Sequence, residues 1–176
     1  MSSKKCLLVI DVQAGMFNLS RPLYKSDSIL SNIKLLVKKA RADNCRIIYM
    51  QHSGNESSPF KKSSEGWNIH SSITPEKNEY IIEKKYSDSF QDTRLNEILT
   101  KLSIEQIVIC GLVTEGCIDT TVRRAYSLGY KIELAGDCHS TTDSDILTAG
   151  QIIGHHNQVL KIFSDVKEAE KISFQD

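Results

Sequence analysis

Short unbroken apolar runs alternate along the chain with longer stretches whose apolar residues return at helical spacing, a pattern that predicts strands and helices in turn. Residues 6–10 (Cys-Leu-Leu-Val-Ile) form the first run, stopped by Asp11. A run without polar alternation suits a strand covered on both faces, as parallel strands are. Over 26–42, Ile29, Leu30, Ile33, Leu36, Val37 and Ala40 fall on one helical face, with Ser26, Asp27 or Ser28 available as N-cap. Residues 46–50 read as a second buried strand, and the polar stretch 53–75 as a long loop. A third strand starts over 80–82, a helix covers 93–102, and 106–110 form a fourth strand bounded by Gly111. A further helix is expected from about Cys117 to Leu128, with Gly129 as a left-handed C-cap. Residues 131–135 supply a fifth strand. A helix from about Ser144 carries Ile146, Leu147, Ala149, Ile152 and Ile153 towards Val159. Residues 160–163 are assigned as a sixth strand, and 166–172 as a short helix.

Strands alternating with helices point to right-handed βαβ crossovers and a mostly parallel sheet, hence an α/β fold. At 176 residues the chain suits one domain spanning 1–176. Lys+Arg and Asp+Glu are balanced at 22 each, without a long run of like charge, which argues against a phosphate backbone as partner. The five cysteines (Cys6, Cys45, Cys110, Cys117, Cys138) are odd in number and form no C-x-x-C pair, so neither a disulfide framework nor a thiolate zinc site is indicated. The run at 6–10 is too short for a signal-peptide core or a membrane span. These features together predict a soluble, cytoplasmic protein with no membrane partner.

In open α/β sheets ligands bind beyond the carboxyl ends of the strands. That rule selects Asp11, His52, Lys84 and Lys85, the segment 111–117, and 137–139. Cys117 follows a strand and a Gly-Leu-Val-Thr-Glu-Gly turn and opens the next predicted helix, where free N–H groups and the helix dipole favour a thiolate. Asp11 and one of the lysines could supply a proton acceptor and a compensating cation. Each residue also has a plainer reading: a buried cysteine, a turn-forming aspartate, an exposed lysine. Only their convergence on one sheet edge would make a site, and strand order cannot be read from spacing.

Three blocks carry a resemblance: Leu-Leu-Val-Ile-Asp-Val-Gln at 7–13 with Phe17, Glu-Lys-Lys-Tyr-Ser-Asp-Ser-Phe-Gln-Asp-Thr-Arg-Leu at 83–95, and Gly-Leu-Val-Thr-Glu-Gly-Cys-Ile-Asp-Thr-Thr-Val-Arg-Arg-Ala at 111–125. In content and order they resemble the signature blocks of the isochorismatase-like, or cysteine hydrolase, superfamily. The resemblance implies a three-layer α/β/α domain of Rossmann-like, doubly wound type with a six-stranded parallel sheet. It also implies an Asp–Lys–Cys triad on Asp11, Lys84 and Cys117. Lys84 is chosen over Lys85 because the family lysine stands six residues before an aromatic, here Phe90. The family's non-proline cis peptide would be Val113–Thr114, and the oxyanion hole would use the backbone N–H groups of Thr114 and Cys117. The implied activity is hydrolysis of a small amide-type C–N bond through a thioester, by a homodimer or homotetramer without a cofactor.

Departures from the family's better-known branches refine this. Nicotinamidases of the superfamily carry an Asp-x-His and a further His that bind a metal. Here Met50 stands where that Asp would be, so His52 and His70 are too few and no metal is expected. Isochorismatases proper cleave a vinyl ether and do not need the thiol, so Cys117 favours C–N chemistry, with ether hydrolysis as the alternative. Phe17, His52 and Trp67 are candidate pocket walls, and Phe60 either lines the pocket or anchors the loop. His155 and His156, adjacent on a helix, point apart and suit a structural role or a subunit contact. Competing classes are a thiol-based redox sensor, using Cys117 or an exposed Cys138, and a catalytically silent binding module on the same fold.

Overall fold

The computed structural model describes residues 4–175; Met1–Ser3 and Asp176 lie outside them. The apolar runs form a single sheet: β1 (Lys5–Ile10), β2 (Arg46–His52), β3 (Tyr80–Lys84), β4 (Gln106–Leu112), β5 (Lys131–Ser140) and β6 (Asp165–Lys167). Its order is β3-β2-β1-β4-β5-β6, and every pairing is parallel. The chain winds outward from β1 in one direction and then from β4 in the other, so the crossovers diverge between these two strands. Such a switch point opens a crevice at the carboxyl edge.

Among the described residues four helices cover the sheet: α1 (Ser26–Ala42), α2 (Leu95–Lys101), α3 (Asp119–Ser127) and α4 (Ala149–Val159). One layer of core joins Leu7, Val9, Ile47 and Tyr49 to Ile33, Leu36 and Val37 of α1 and to Ile172 and Phe174. The opposite layer joins Cys6, Leu8, Ile10, Ile48, Met50 and Ile82 to Leu95 and Leu99 of α2 and to Val122 and Ala125 of α3. Each central strand is therefore buried on both faces, which is why its sequence shows no alternation. This is the three-layer α/β/α arrangement.

Several element boundaries differ from the sequence expectation. The start of α1 is not capped by Ser26, Asp27 or Ser28; Lys25 precedes it in the left-handed conformation (φ 50°) without a side-chain cap. α4 starts at Ala149 rather than Ser144. Thr148 and Gln151 form a capping box there, and Ile146 and Leu147 are left exposed in the preceding turn. Residues 160–162 are a 3-10 turn, and the sixth strand lies further on, at Asp165–Lys167. The segment expected as a helix over 166–172 holds only a 3-10 turn, Ala169–Lys171. These short terminal pieces carry too few residues for periodicity to separate strand from helix. The strands β2 and β5 run past their predicted ends, because polar residues at the crevice are tolerated in a sheet wherever they find partners, and β4 runs on through Gly111 and Leu112.

The long loop after β2 is not structureless. Ala14 N–H donates to the Asn68 carbonyl at 2.8 Å and His70 N–H to the Val12 carbonyl at 2.9 Å, fastening the loop beside the end of β1. Two 3-10 turns, Glu65–Trp67 and Ser71–Ile73, shape it further. No helix among the described residues is long and apolar enough to cross a membrane.

Candidate active site

Three residues from three separated segments meet at the carboxyl edge. Asp11 is the first residue after β1, with φ at 52°, a left-handed conformation that aspartate tolerates better than most residues; its N–H donates to Met50 O at 3.0 Å. Lys84 ends β3, two strands away from β1. Neighbouring strands lie about 4.8 Å apart, so a side chain crossing β2 needs a lysine's length. Its Nζ stands 2.6 Å from Asp11 Oδ2 and donates to Cys117 Sγ at 3.2 Å and to the Tyr86 carbonyl at 3.0 Å. The strand alternation explains why Lys84 and not Lys85 is used: Lys84 shares the buried face of Ile82, whereas Lys85 is exposed.

Cys117 lies in a π-helical turn, Thr114–Ile118, that runs straight into α3. It does not open the helix, as the sequence suggested; the helical segment already begins at Thr114. The non-proline cis peptide is Leu112–Val113, one residue before the expected Val113–Thr114. No proline marks such a bond, so its position is not readable to a single residue. At Gly111, with φ 129°, β4 runs so near β1 that a Cβ would collide with the Ile10 carbonyl. The nucleophile turn can therefore leave the sheet directly beside Asp11.

The electrostatics also depart from expectation. Burial raises the Asp11 pKa above the usual carboxylate value, with the Lys84 ammonium opposing that shift. Burial, reinforced by the Asp11 charge, pushes the Cys117 thiol up to about 11 despite Lys84. The resting site thus holds a neutral thiol rather than a thiolate, next to a carboxylate of increased basicity. Asp11 Oδ1 is buried without a hydrogen-bond partner, and so is His52 Nδ1. Burial, followed by the charge on Lys84, lowers the His52 pKa and keeps the ring neutral near pH 7.

A cavity of about 300 Å3 opens onto these groups, lined by Asp11, Gln13, Met16, Leu19, His52, Phe60, Ser87, Leu112, Val113 and Cys117. Of the expected walls, His52 lines it. Phe17 instead packs on the His70 ring at 4.8 Å between centroids, and Trp67 donates from Nε1 to Ser53 Oγ at 2.9 Å, with Lys62 over its face. Phe60, placed 6.3 Å edge-on to His52, takes the position of aromatic wall. Thr114 is fully buried, and its hydroxyl pairs with His139 Nδ1 at 2.9 Å.

Gln13 was missed as a site residue. Its Nε2 donates to the carbonyls of His52 and Trp67 at 2.9 and 2.8 Å, and its Oε1 accepts from His52 N–H at 2.9 Å, tying loop and β2 to the rim. An amide two residues after the aspartate that stops the first apolar run was the available signal. His70 accepts from Ser72 N–H through Nδ1. Among the described residues, no group of three or more His, Cys, Asp or Glu is placed to hold a metal ion. Cys138, suggested as exposed, is fully buried, because β5 continues through it to Ser140. His156 Nδ1 stands 2.8 Å from the Ile152 carbonyl, and the His155 and His156 rings lie 84° apart.

Comparison with known proteins identifies the family and agrees with the fold. The isochorismatase domain matches residues 5–151, and the chain belongs to the isochorismatase family. It is similar to a streptothricin hydrolase of Streptomyces noursei, 30% identical over 139 residues. That match covers 79% of this chain and 55% of the relative, so the chain spans about half the length of that protein. It is also 34% identical over 143 residues to an isochorismatase family protein of Bacillus subtilis strain 168, covering 80% and 79% of the two chains. A crystal structure of an isochorismatase family protein superposes with a TM-score of 0.89 at 30% identity, covering 96% of this chain and all of the other.

Proposed function

We propose that this protein is a cysteine-dependent hydrolase that cleaves a small amide-type C–N bond through a thioester on Cys117. The observation that carries this reading is the contact of Lys84 Nζ with both Asp11 Oδ2, at 2.6 Å, and Cys117 Sγ, at 3.2 Å, beside a cavity. Similarity to a protein named for hydrolysis supports it.

In this mechanism Asp11 takes the thiol proton of Cys117 as sulfur attacks the carbonyl. A raised Asp11 pKa makes the carboxylate a stronger base and shortens the gap to the thiol that it must deprotonate. Lys84 compensates the negative charge as it passes from carboxylate to sulfur and on to the carbonyl oxygen. The backbone N–H groups of Thr114 and Cys117 are the proposed donors to that oxyanion. Protonated Asp11 then gives its proton to the departing nitrogen, and ammonia or an amine leaves. Asp11 next deprotonates a water molecule that attacks the thioester, releasing the acid and restoring the thiol.

The cavity also bears on the substrate. Its walls are largely apolar, contributed by Met16, Leu19, Phe60, Leu112 and Val113, and its lining includes no lysine or arginine. Lys84, beneath it, is already engaged by Asp11, Cys117 and Tyr86. A small uncharged amide with an apolar body fits this better than a carboxylate, which would face Asp11. The same chemistry separates this site from a redox sensor: sensor thiols are acidic and accessible, whereas burial and Asp11 raise Cys117.

A panel of small amides, with ammonia or amine release followed for the wild type and Cys117→Ala, tests the assignment. Turnover that disappears in the variant, with a substrate-mass adduct trapped on the Cys117 peptide, is the expected result. Turnover that survives in Cys117→Ala, or hydrolysis confined to a vinyl ether, would sink it.

A further inference from the structure

Beside the reacting groups runs a second chain of contacts that the amide mechanism does not use. β4 and β5 pair in register as far as Ile109↔Leu134, and pairing resumes at Gly111↔His139. Two residues of β4 are thus matched by five of β5, so three extra residues bulge out of β5 at this point. Bulges near active sites re-aim a side chain that regular pairing would place elsewhere. Here the side chain is His139, fully buried, which reaches the first residue of the nucleophile turn.

The hydrogen bonds fix its tautomer. Asn157 on α4 donates from Nδ2 to the Gly136 carbonyl at 2.9 Å, so its Oδ1 must face His139 and accept. His139 therefore carries its proton on Nε2, 2.9 Å from that oxygen, and presents the Nδ1 lone pair to Thr114. Thr114 Oγ1–H donates to it at 2.9 Å. Burial keeps the ring neutral, which this donor–acceptor order requires. Gly136 is part of the same device: a Cβ there would press on Asn157 Oδ1 and on Val166. One residue further along the turn, Glu115 Oε1 accepts from Thr141 Oγ1 at 2.8 Å, so the end of β5 grips the turn at two successive positions.

We propose that the Asn157–His139–Thr114 relay is a positioning device that holds the π-helical turn so that Cys117 stays buried against Lys84 and Asp11. The side chains of the relay touch no reacting atom; they act through the backbone of the turn, which carries the Thr114 N–H. The inference concerns the placement of the thiol and stands on this geometry whether or not an amide is the substrate.

The test uses Thr114→Val, which keeps the shape and removes the hydroxyl, Thr114→Ser, which restores it, and Asn157→Leu on the half-buried face of α4. The first readout needs no substrate: iodoacetamide alkylation of Cys117 against pH, followed by mass spectrometry of its peptide. In Thr114→Val the midpoint falls by about one pH unit or more towards the ordinary thiol range, and alkylation near pH 8 becomes about tenfold faster. In the same variant amide turnover falls about tenfold in kcat, with KM within about twofold. Thr114→Ser restores both, and Asn157→Leu moves both in the direction of Thr114→Val. A more reactive Cys117 and weakened catalysis, while the fully buried Cys110 stays unalkylated, is what local displacement predicts; general destabilisation would expose both thiols and overturns the proposal. Wild-type alkylation profiles in Thr114→Val and Asn157→Leu overturn the proposal, as does a Thr114→Ser variant no better than Thr114→Val. If Thr114→Val does not fold, Asn157→Leu decides by the same alkylation profile. If the wild type turns over no amide, the alkylation arm still decides this proposal, while the hydrolase assignment fails separately.

Discussion

Two ion pairs sit at the two ends of β3, and they are built to different standards. At the amino edge, Arg41 grips Glu79 through Nε and Nη2 at 2.8 and 2.9 Å, and Nη2 also donates to the Thr74 carbonyl at 2.9 Å. Glu79 Oε2 accepts in addition from Glu76 N–H. Although burial pulls the other way, these donors together hold the Glu79 carboxyl below its usual range. At the carboxyl edge, Asp11 and Lys84 are more deeply buried, yet Asp11 Oδ1 has no partner and burial wins, raising its pKa. A carboxylate with both oxygens hydrogen-bonded serves stability. One left short of partners beside a thiol has basicity to spare for a proton.

Substitutions at the two ends should separate these roles. The largest effect is expected from Asp11→Asn, which removes the base: amide turnover should fall by about a thousandfold or more, measured as kcat/KM. The same variant should lower the alkylation midpoint of Cys117 below about 11, since the Asp11 charge helps to raise it. A thiol easier to ionise in a nearly dead enzyme would show that proton transfer, not thiolate content, limits the reaction. An unchanged midpoint would break the comparison.

Next comes Lys84→Met, which strands a buried carboxylate and should cost about 3 to 5 kcal/mol in urea unfolding near neutral pH. The loss should shrink as the medium is acidified, because Asp11 becomes protonated. At the other end, Glu79→Gln should cost about 1 to 2 kcal/mol and leave turnover unchanged. Equal costs at the two sites would refute the distinction between them.

The smallest effects are in the pH slopes, and they carry opposite signs. The folded pKa of Asp11 lies above its unfolded value, so the folded state holds the extra proton and stability declines as pH rises through that window. Glu79 is depressed on folding, so its contribution is present above its unfolded value and is lost as pH falls through the folded one. Unfolding series between about pH 3 and pH 7 should show one slope flattened in Asp11→Asn and the opposite one flattened in Glu79→Gln. The acid limb of kcat/KM should lie above 3.8, the ordinary aspartate value, and vanish with Asp11.

Local pattern was enough to find α1 from Ser26 to Ala42, the start of β1 to within one residue and the starts of β2 to β5, since burial on both faces leaves an unbroken apolar run. It was also enough to mark Asp11, Cys117 and the pair Lys84 and Lys85, because each interrupts or follows such a run; the choice of Lys84 rested on the family resemblance. Pattern failed where partners come from far along the chain. Phe60 rather than Phe17 or Trp67 lines the cavity because Gln13 and Gln51 hold the Trp67 carbonyl, at 2.8 and 2.9 Å, and so set how the loop lies. Both Gln side chains look unremarkable in the sequence.

The sequence alone determined the alternating elements, their parallel α/β character and the kinds of side chain available at the crevice, because apolar periodicity and chain reversal are local properties. Tertiary structure alone decided that Lys84 reaches across β2 to both Asp11 and Cys117, that the thiol rests protonated, and that a bulge in β5 brings His139 under the nucleophile turn. Distances between segments dozens of residues apart, and the desolvation that results when they close together, exist only once the strands have taken their order.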